Sequence, residues 1–529
     1  MKEVRSIAEA VFLNAKEKPD AKAVIDKSGP VTYRQMKESI TSCTLILVKL
    51  GVRTGDRVVA ECSQDAMFLA FDLACEVTGA IFVGVERKAA PGRLEEILEQ
   101  TQPVLLVTNR PAQISRKIRK CLTWKEWNAL LSARQEEMEK EESGSTDKVR
   151  DDAPGVSGRA QDAAPEGPDR LPDPEAVAEI LFSTGTTGKT KGAILTNRAN
   201  VANAQNVIDG VLMEPDTVEL VPLPINHAHG LRTAYAHLLN GSCVLIANGI
   251  TFPRVLIDLI EKYGANAIDL SPSAAQMLIT TSRRRLKEIA PKIRYVEVGT
   301  AFLPESTKSM LRDCFPDAKL YNFYGSSESG RACCLEFGSG KDQPGCIGKP
   351  VPNARFVVLD ENGAVMKSDA EHTGRLASAG PMNMSGYWNE PELSAETLQD
   401  GYVLTADVAY IDQDGYVYVL GRQDDVIVYK GIKISPDEIE ETAKGCEMVA
   451  DCACIPVEDE LAGQVPKLFV VPADRETWSE EAVFAYLKEH IDDNRMPRTI
   501  ELIDAIPRTY NGKVLRRELA GSRNRLLAD

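Results

Sequence analysis

Apolar positions along the chain alternate between two periods. DRVVAEC at 56–62 is a short β-rich run, DAMFLAFDLACEVTGA at 65–80 repeats apolar residues at helical spacing, and IFVGV at 81–85 is a second short run. That pattern predicts a β-α-β unit. LVPLPIN, CVLIAN, AIDLS and YVEVG continue it, separated by helical stretches such as FPRVLIDLIEKYG and PESTKSMLRDCF. Strands alternating with helices predict an α/β fold with mostly parallel, helix-covered sheets. From about residue 401 the texture changes: GYVLTADVAYIDQDGYVYVLGR is a set of β-like runs around an Asp414-Gly415 turn. IVYKGIKI, PDEIEETAKG, CACIPV, KLFVVPA and EEAVFAYLKEHID follow. Residues 1–422 are therefore expected as a large N-terminal domain and 423–529 as a small, mobile α+β domain, hinged at 422–424. Within the first, 136–174 differs from its surroundings: it is rich in Glu, Asp, Gly, Pro and Ser and almost without large apolar residues. It is expected as a flexible acidic insertion.

The bulk numbers narrow the function. A chain of 529 residues exceeds what one core usually serves. A net charge of −16 argues against nonspecific binding to nucleic acid or anionic membranes. The 12 cysteines show no zinc spacing and read as thiols in a reducing compartment. With no long apolar stretch and no signal peptide, a cytoplasmic protein without a membrane span is expected.

Four segments carry candidate chemistry. STGTTGKTKG at 183–192 follows the strand-like AEILF. Its small residues let the backbone approach a phosphate chain. Hydroxyls of Ser183, Thr184, Thr186 and Thr187 can donate to phosphate oxygens, and Lys189 and Lys191 can offset charge. Ser183 stands where a Walker A loop has Gly, so the segment misses that motif. YGSSESG at 324–330 offers Tyr324 to stack a base, Ser327 for an oxyanion and Glu328 as an oxygen ligand for Mg²⁺. In TAD at 405–407 and GRQDD at 421–425, Asp407 can accept ribose hydroxyls and Arg422 can donate. In RTYNGKVLRREL at 508–519, an Asn-Gly turn aims Lys513.

Taken in order, these motifs resemble the adenylate-forming superfamily of acyl- and aryl-CoA synthetases, luciferases and nonribosomal adenylation domains, and among them acid–CoA ligases. GTAFLPES at 299–306 and GPMNMSGYWNEPE at 380–392 belong to the same resemblance, which runs from the Tyr33 region to Lys513. It implies that Ser183, Thr184, Gly185, Thr186, Thr187, Gly188 and Lys191 cradle the ATP phosphates. Gly299, Thr300 and Ala301 would border the adenine and acyl pocket. Tyr324 would pack on adenine, Gly325 and Ser326 would line the nucleotide site, Ser327 would contact phosphate, and Glu328 would hold Mg²⁺. Asp407 and Arg422 would bind ribose, Asp424 would be the hinge, and Lys430 and Gly431 would approach CoA. Lys513 would bridge the acid carboxylate and the α-phosphate. Three positions depart from the pattern: Thr190 replaces the usual Pro, Ala406 the Gly of T-G-D, and Arg375 the Glu of G-E-L.

The implied activity is ATP-dependent ligation of a small-molecule carboxylic acid to CoA through an acyl-adenylate. A carrier-protein phosphopantetheine is the alternative acceptor. In LPINHAHGLR, His227 would lie beside the acyl carbonyl; His229 and Arg232 are weaker candidates, and Arg232 reads as a surface or structural ion pair in preference to a partner for the second carboxylate of a diacid. No Asp stands there to hold an amino acid's ammonium group. Thr300 and Phe302 favour a short, medium or aromatic acid. A luciferase-like oxygenase, an inactive nucleotide-binding relative and a P-loop NTPase are rival readings, and a homodimer stays open.

Overall fold

The computed structural model describes residues 4–87, 89–111, 118–144, 171–184, 190–249, 252–338, 340, 343–429, 432–459, 463–491, 495–508 and 514–521. They fall into two compact units. The first comprises Met1–Ile250, Ser326–Gly330 and Pro381–Glu396; the second comprises Thr251–Gly325, Arg331–Gly380 and Thr397–Asp529.

In the first unit, the expected β-α-β is strand Arg57–Glu61, helix Ala66–Thr78 and strand Ile81–Val85. Asp65 caps the helix by accepting from the Phe68 amide, and Gly79 closes it at φ 73°. The strands belong to a seven-stranded sheet ordered Gly386–Tyr387, Thr190–Thr196, Val177–Thr184, Ile81–Val85, Arg57–Glu61, Leu105–Val107, Lys120–Leu122. Its first three strands pair antiparallel and the rest parallel. Ile81–Val85 is buried throughout, as a central parallel strand requires. Phe71 packs edge-on against Phe82, Trp124 and Trp127. Lys22–Asp26, Cys243–Ile246 and Val218–Val221 form a second parallel run, edged by the antiparallel strand Gly29–Thr32.

The helix Trp124–Gly144 changes one expectation: the first part of the acidic insertion, up to Gly144, is helical. A Glu- and Lys-rich stretch without Pro extends a helix started by the buried Trp124 and Trp127. Residues 145–170 of the insertion lie outside the described residues.

In the second unit, strands Ala267–Leu270, Tyr295–Val298 and Lys319–Ser326 are parallel neighbours. From Gly330 onward the chain turns to antiparallel pairing, with Cys346–Pro350, Arg355–Leu359, Gly374–Ala379, Tyr402–Ile411 and Val417–Arg422 in one sheet. The last two form a hairpin whose Asp-Gly turn is held by Asp412, which accepts from the amides of Asp414 and Tyr416 at 2.9 and 2.8 Å. Ile427–Tyr429, Ile432–Ile434, Val449–Asp459, Gly463–Pro472 and Thr499–Leu502 build a separate five-stranded sheet. It encloses its own core of Ile427, Ile439, Cys452, Cys454, Leu468 and Leu487. All 12 cysteines are free thiols. Among the described residues no helix is long and apolar enough to cross a membrane.

Candidate active site

The phosphate-loop motif begins and ends on two antiparallel strands, Val177–Thr184 and Thr190–Thr196. Ser183 pairs with Lys191 and Thr184 with Thr190 across its two strands. Gly185, Thr186, Thr187, Gly188 and Lys189 lie outside the described residues. The hairpin is fixed at its base. The Thr190 hydroxyl donates to Glu96 Oε2 at 2.6 Å and its amide to Oε1 at 3.2 Å. A Pro at 190, as in the usual motif, could make neither bond. Gly192 lies so close to Ile180 and Phe182 that a Cβ would meet Ile180 Cγ2 at 2.6 Å.

Glu328 belongs to the same unit, and its turn is built by serines. Ser326 Oγ accepts from the amides of Glu328 and Ser329 at 3.2 and 3.0 Å. Gly330 ends the turn at φ 61°, where a Cβ would stand 1.8 Å from Asn203 Oδ1. Tyr387, 8% exposed, donates its hydroxyl to Glu328 Oε1 at 2.8 Å. The Lys191 ammonium lies 5.9 Å from the Tyr387 ring centroid. Tyr387 itself pairs with Ala193 of the hairpin. One strand thus ties the phosphate hairpin to the carboxylate expected to hold Mg²⁺. That carboxylate is part-buried and a hard oxygen donor, which fits the ion's preference.

His227 sits at the residue before the helix Ala228–Asn240 without capping it by its side chain, and its Nε2 lies 2.9 Å from Glu86 Oε1. That bond holds the Glu86 carboxyl below its ordinary range. Arg232 is buried against Glu179, with its guanidinium 5.4 Å from the Tyr235 ring centroid. It is a structural ion pair, as the sequence reading preferred.

In the second unit Asp407 and Arg422 are direct cross-strand partners of the Asp-Gly hairpin. Arg422 Nε stands 3.7 Å from Asp407 Oδ1, and the Tyr324 hydroxyl donates to Asp407 Oδ2. Burial and the neighbouring carboxylate hold the Tyr324 phenol well above its ordinary pKa. Gly299 is buried, and a Cβ there would run 2.2 Å from the Phe323 ring. Thr300 follows at φ 82°, a left-handed conformation that a β-branched residue adopts only under strain. Ala301 is half-buried, and Gly325 and Phe302 are exposed. Asp424 is exposed and accepts from Arg517 at 2.9 Å, within a turn where the amides of Asp425 and Val426 donate to Arg422 O. Tyr429 is buried under Arg498. Lys430, Gly431 and Lys513 lie outside the described residues.

Three contributors were not singled out from sequence: Tyr387, Glu96 and Glu86. Tyr387 lies inside GPMNMSGYWNEPE, a stretch that marks its position but not its partner. Nothing local marks Glu96 or Glu86, which meet their partners 94 and 141 positions away.

The model of the AMP-binding enzyme family matches residues 11–388, and that of the AMP-binding enzyme C-terminal domain matches 438–513. The chain belongs to the AMP-binding enzyme family. Its relatives in the adenylate-forming superfamily include acid ligases. A 4-coumarate–CoA ligase of Vanilla planifolia is 30% identical over 359 residues, 65% of this chain and 64% of the relative. The chain therefore spans just under two thirds of that relative's length. The fatty acid–[acyl-carrier-protein] ligase ScoC of Streptomyces coeruleorubidus is 26% identical over 98% of this chain and 96% of its own. The crystal structure of ATP-bound MatB from Rhodopseudomonas palustris superposes with a TM-score of 0.80 at 22% identity, covering 99% of this chain and 100% of that one. At that identity the likeness shows the fold.

Proposed function

We propose that this family member is an ATP-dependent carboxylic acid–CoA ligase that forms an acyl-adenylate and then a thioester, releasing pyrophosphate and AMP. The observation that carries the reading is the grouping of Tyr324, Asp407 and Arg422. A carboxylate with a phenol on one oxygen and a guanidinium beside the other is built to accept a ribose diol and cover a base. Adenylate formation needs little covalent work from the protein; positioning and charge stabilisation dominate. The acid carboxylate attacks the α-phosphorus, and pyrophosphate departs. Ser183 and Lys191 hold phosphate oxygens, and Lys513 bridges the two anions that must meet. Mg²⁺, when bound at Glu328, supplies charge neutralisation on the phosphates. Glu86 orients the imidazole of His227 toward the acid carbonyl.

Domain alternation fits two reactions into one site. We assign 1–422 to ATP and acid binding and 423–529 to a mobile domain turning about Asp424. Lys513 serves the first half-reaction and the Lys430-Gly431 segment the second. Thr300, and a relative named for 4-coumarate, favour a short, medium or aromatic acid.

The relative named as an acyl-carrier-protein ligase, matched over nearly its full length, supports one second reading: the thiol belongs to a carrier-protein phosphopantetheine. Both are tested by supplying CoA or a loaded carrier after adenylation and following AMP and thioester. Acyl-CoA with AMP supports the first. Thioester on the carrier alone transfers the reading to the second. ADP in place of AMP overturns both.

A further inference from the structure

Two departures from the family pattern, Arg375 and Ala406, are far apart in sequence but meet at one point of the fold. Strand Gly374–Ala379 pairs with strand Tyr402–Ile411, with Arg375 opposite Val408 and Ala377 opposite Leu404. Between them Leu376 alone stands opposite Thr405, Ala406 and Asp407. The TAD segment is therefore a bulge, a feature that re-aims side chains and leaves ladder groups unpaired. Buried backbone groups must find other partners.

Four of those groups, Thr405 O, Ala406 O, Asp407 N and Leu376 O, have identified partners. Arg375 Nε donates to Thr405 O at 2.7 Å, with its Nη2 3.5 Å from Leu404 O. The Thr405 hydroxyl donates to Leu376 O at 2.7 Å and accepts from the Asp407 amide at 3.1 Å. Ala406 O accepts from the Gln423 amide at 2.6 Å. Ala406 keeps a negative φ, so its methyl adds no strain where other members have Gly. The guanidinium thus closes the bulge from one side and the alanine stiffens it from within. A Glu at 375 would set an acceptor against the Thr405 carbonyl, with no hydrogen to share.

We infer that Arg375 is a positioning residue for nucleotide recognition: by clamping the Thr405 carbonyl it fixes the bulge that aims the Asp407 carboxylate and, through it, the Tyr324 hydroxyl. Arg375 and Ala406 form one substitute for the Glu-and-Gly arrangement of other members. The inference rests on the reading of Asp407 as the ribose ligand.

The test uses the full-length enzyme with Arg375→Gln, Arg375→Lys and, as a reference, Asp407→Asn. Acid-dependent ATP–pyrophosphate exchange is measured with ATP and with 2′-deoxy- and 3′-deoxy-ATP, alongside Tm. Arg375→Gln raises KM for ATP about tenfold, the scale of one lost charge-assisted bond. It leaves kcat within about twofold on the same scale and narrows the preference for ATP over the deoxy analogues. Arg375→Lys, which keeps a donor without the fork, falls between the two. If the Gln variant does not fold, the Lys variant carries the test by the same split. Equal losses with all three nucleotides, or unchanged KM in a folded variant, overturn the inference. Asp407→Asn separates the two layers. If it erodes the ribose preference and Arg375→Gln does not, only the positioning role falls. If Asp407→Asn leaves the preference intact, the ribose reading falls and takes this inference with it.

Discussion

Tyr387 donates its hydroxyl to Glu328 across 59 positions of sequence, while its strand pairs with the phosphate hairpin. The bond takes one carboxylate oxygen and fixes the direction of the other. Tyr387→Phe keeps the ring beside Lys191 and removes only this constraint. The Mg²⁺ concentration for half-maximal pyrophosphate exchange is expected to rise about threefold to tenfold, the cost of one hydrogen bond. An unchanged Mg²⁺ dependence would deny Tyr387 the role.

Gly330→Ala should strike the same turn through the backbone. The position needs a left-handed φ, and a Cβ would press on Asn203, whose amide already donates to Ala199 O and Met382 O. A loss of about 1–3 kcal/mol is expected, read as a lower midpoint in denaturant. Wild-type stability in the variant would mean that Asn203 swings aside freely.

Arg232→Ala separates structure from specificity. Arg232 and Glu179 are 4% and 1% exposed, so removing the cation strands a buried carboxylate. The expected loss is about 3–5 kcal/mol of stability with the order of preferred acids unchanged. Selective loss of dicarboxylic substrates would reinstate Arg232 as a substrate ligand.

Glu76 gives the stability a pH dependence. It is buried and accepts from the Ala8 amide at 2.9 Å; burial pushes its carboxyl from 4.5 up to about 7. Between those values the native state holds a proton that the unfolded chain has released. Its favourable contribution is complete below about 4.5 and is lost as pH rises through about 7. Glu76→Gln should therefore gain stability relative to wild type as pH rises from 5 to 8, in thermal melts of both. A constant difference across that range would contradict the shift.

What the sequence made legible follows from how local each signal was. The strand leading into 183–192 was readable from its apolar run, whereas the return strand Thr190–Thr196 was not. The Asp-Gly turn marked the hairpin that carries Asp407 and Arg422, but its register alone would set Asp407 opposite Gly421; an irregularity between Val408 and Ala409 brings Arg422 opposite instead. The β-α-β of 57–85 was readable from period alone. Tertiary partners were not. Glu86 on His227, Glu96 on Thr190 and Arg375 on Thr405 depend on which strands and helices become neighbours, and no local period encodes that. Position 190 shows the cost: it read as a missing Pro, whereas its hydroxyl and amide both bind Glu96. The helix through Gly144 was hidden for the opposite reason, since its charged composition looked like that of a solvated loop.

The most direct test of the adenylation reading is acid-dependent ATP–pyrophosphate exchange across aliphatic, aromatic and dicarboxylic acids, run on wild type and on Lys513→Ala. Exchange with one class of acid is expected, reduced about 10²–10³-fold in the variant through loss of one preorganised donor. Exchange that Lys513→Ala leaves intact would contradict the role of that lysine. No exchange with any acid would contradict the account at its centre and leave a nucleotide-binding protein in its place.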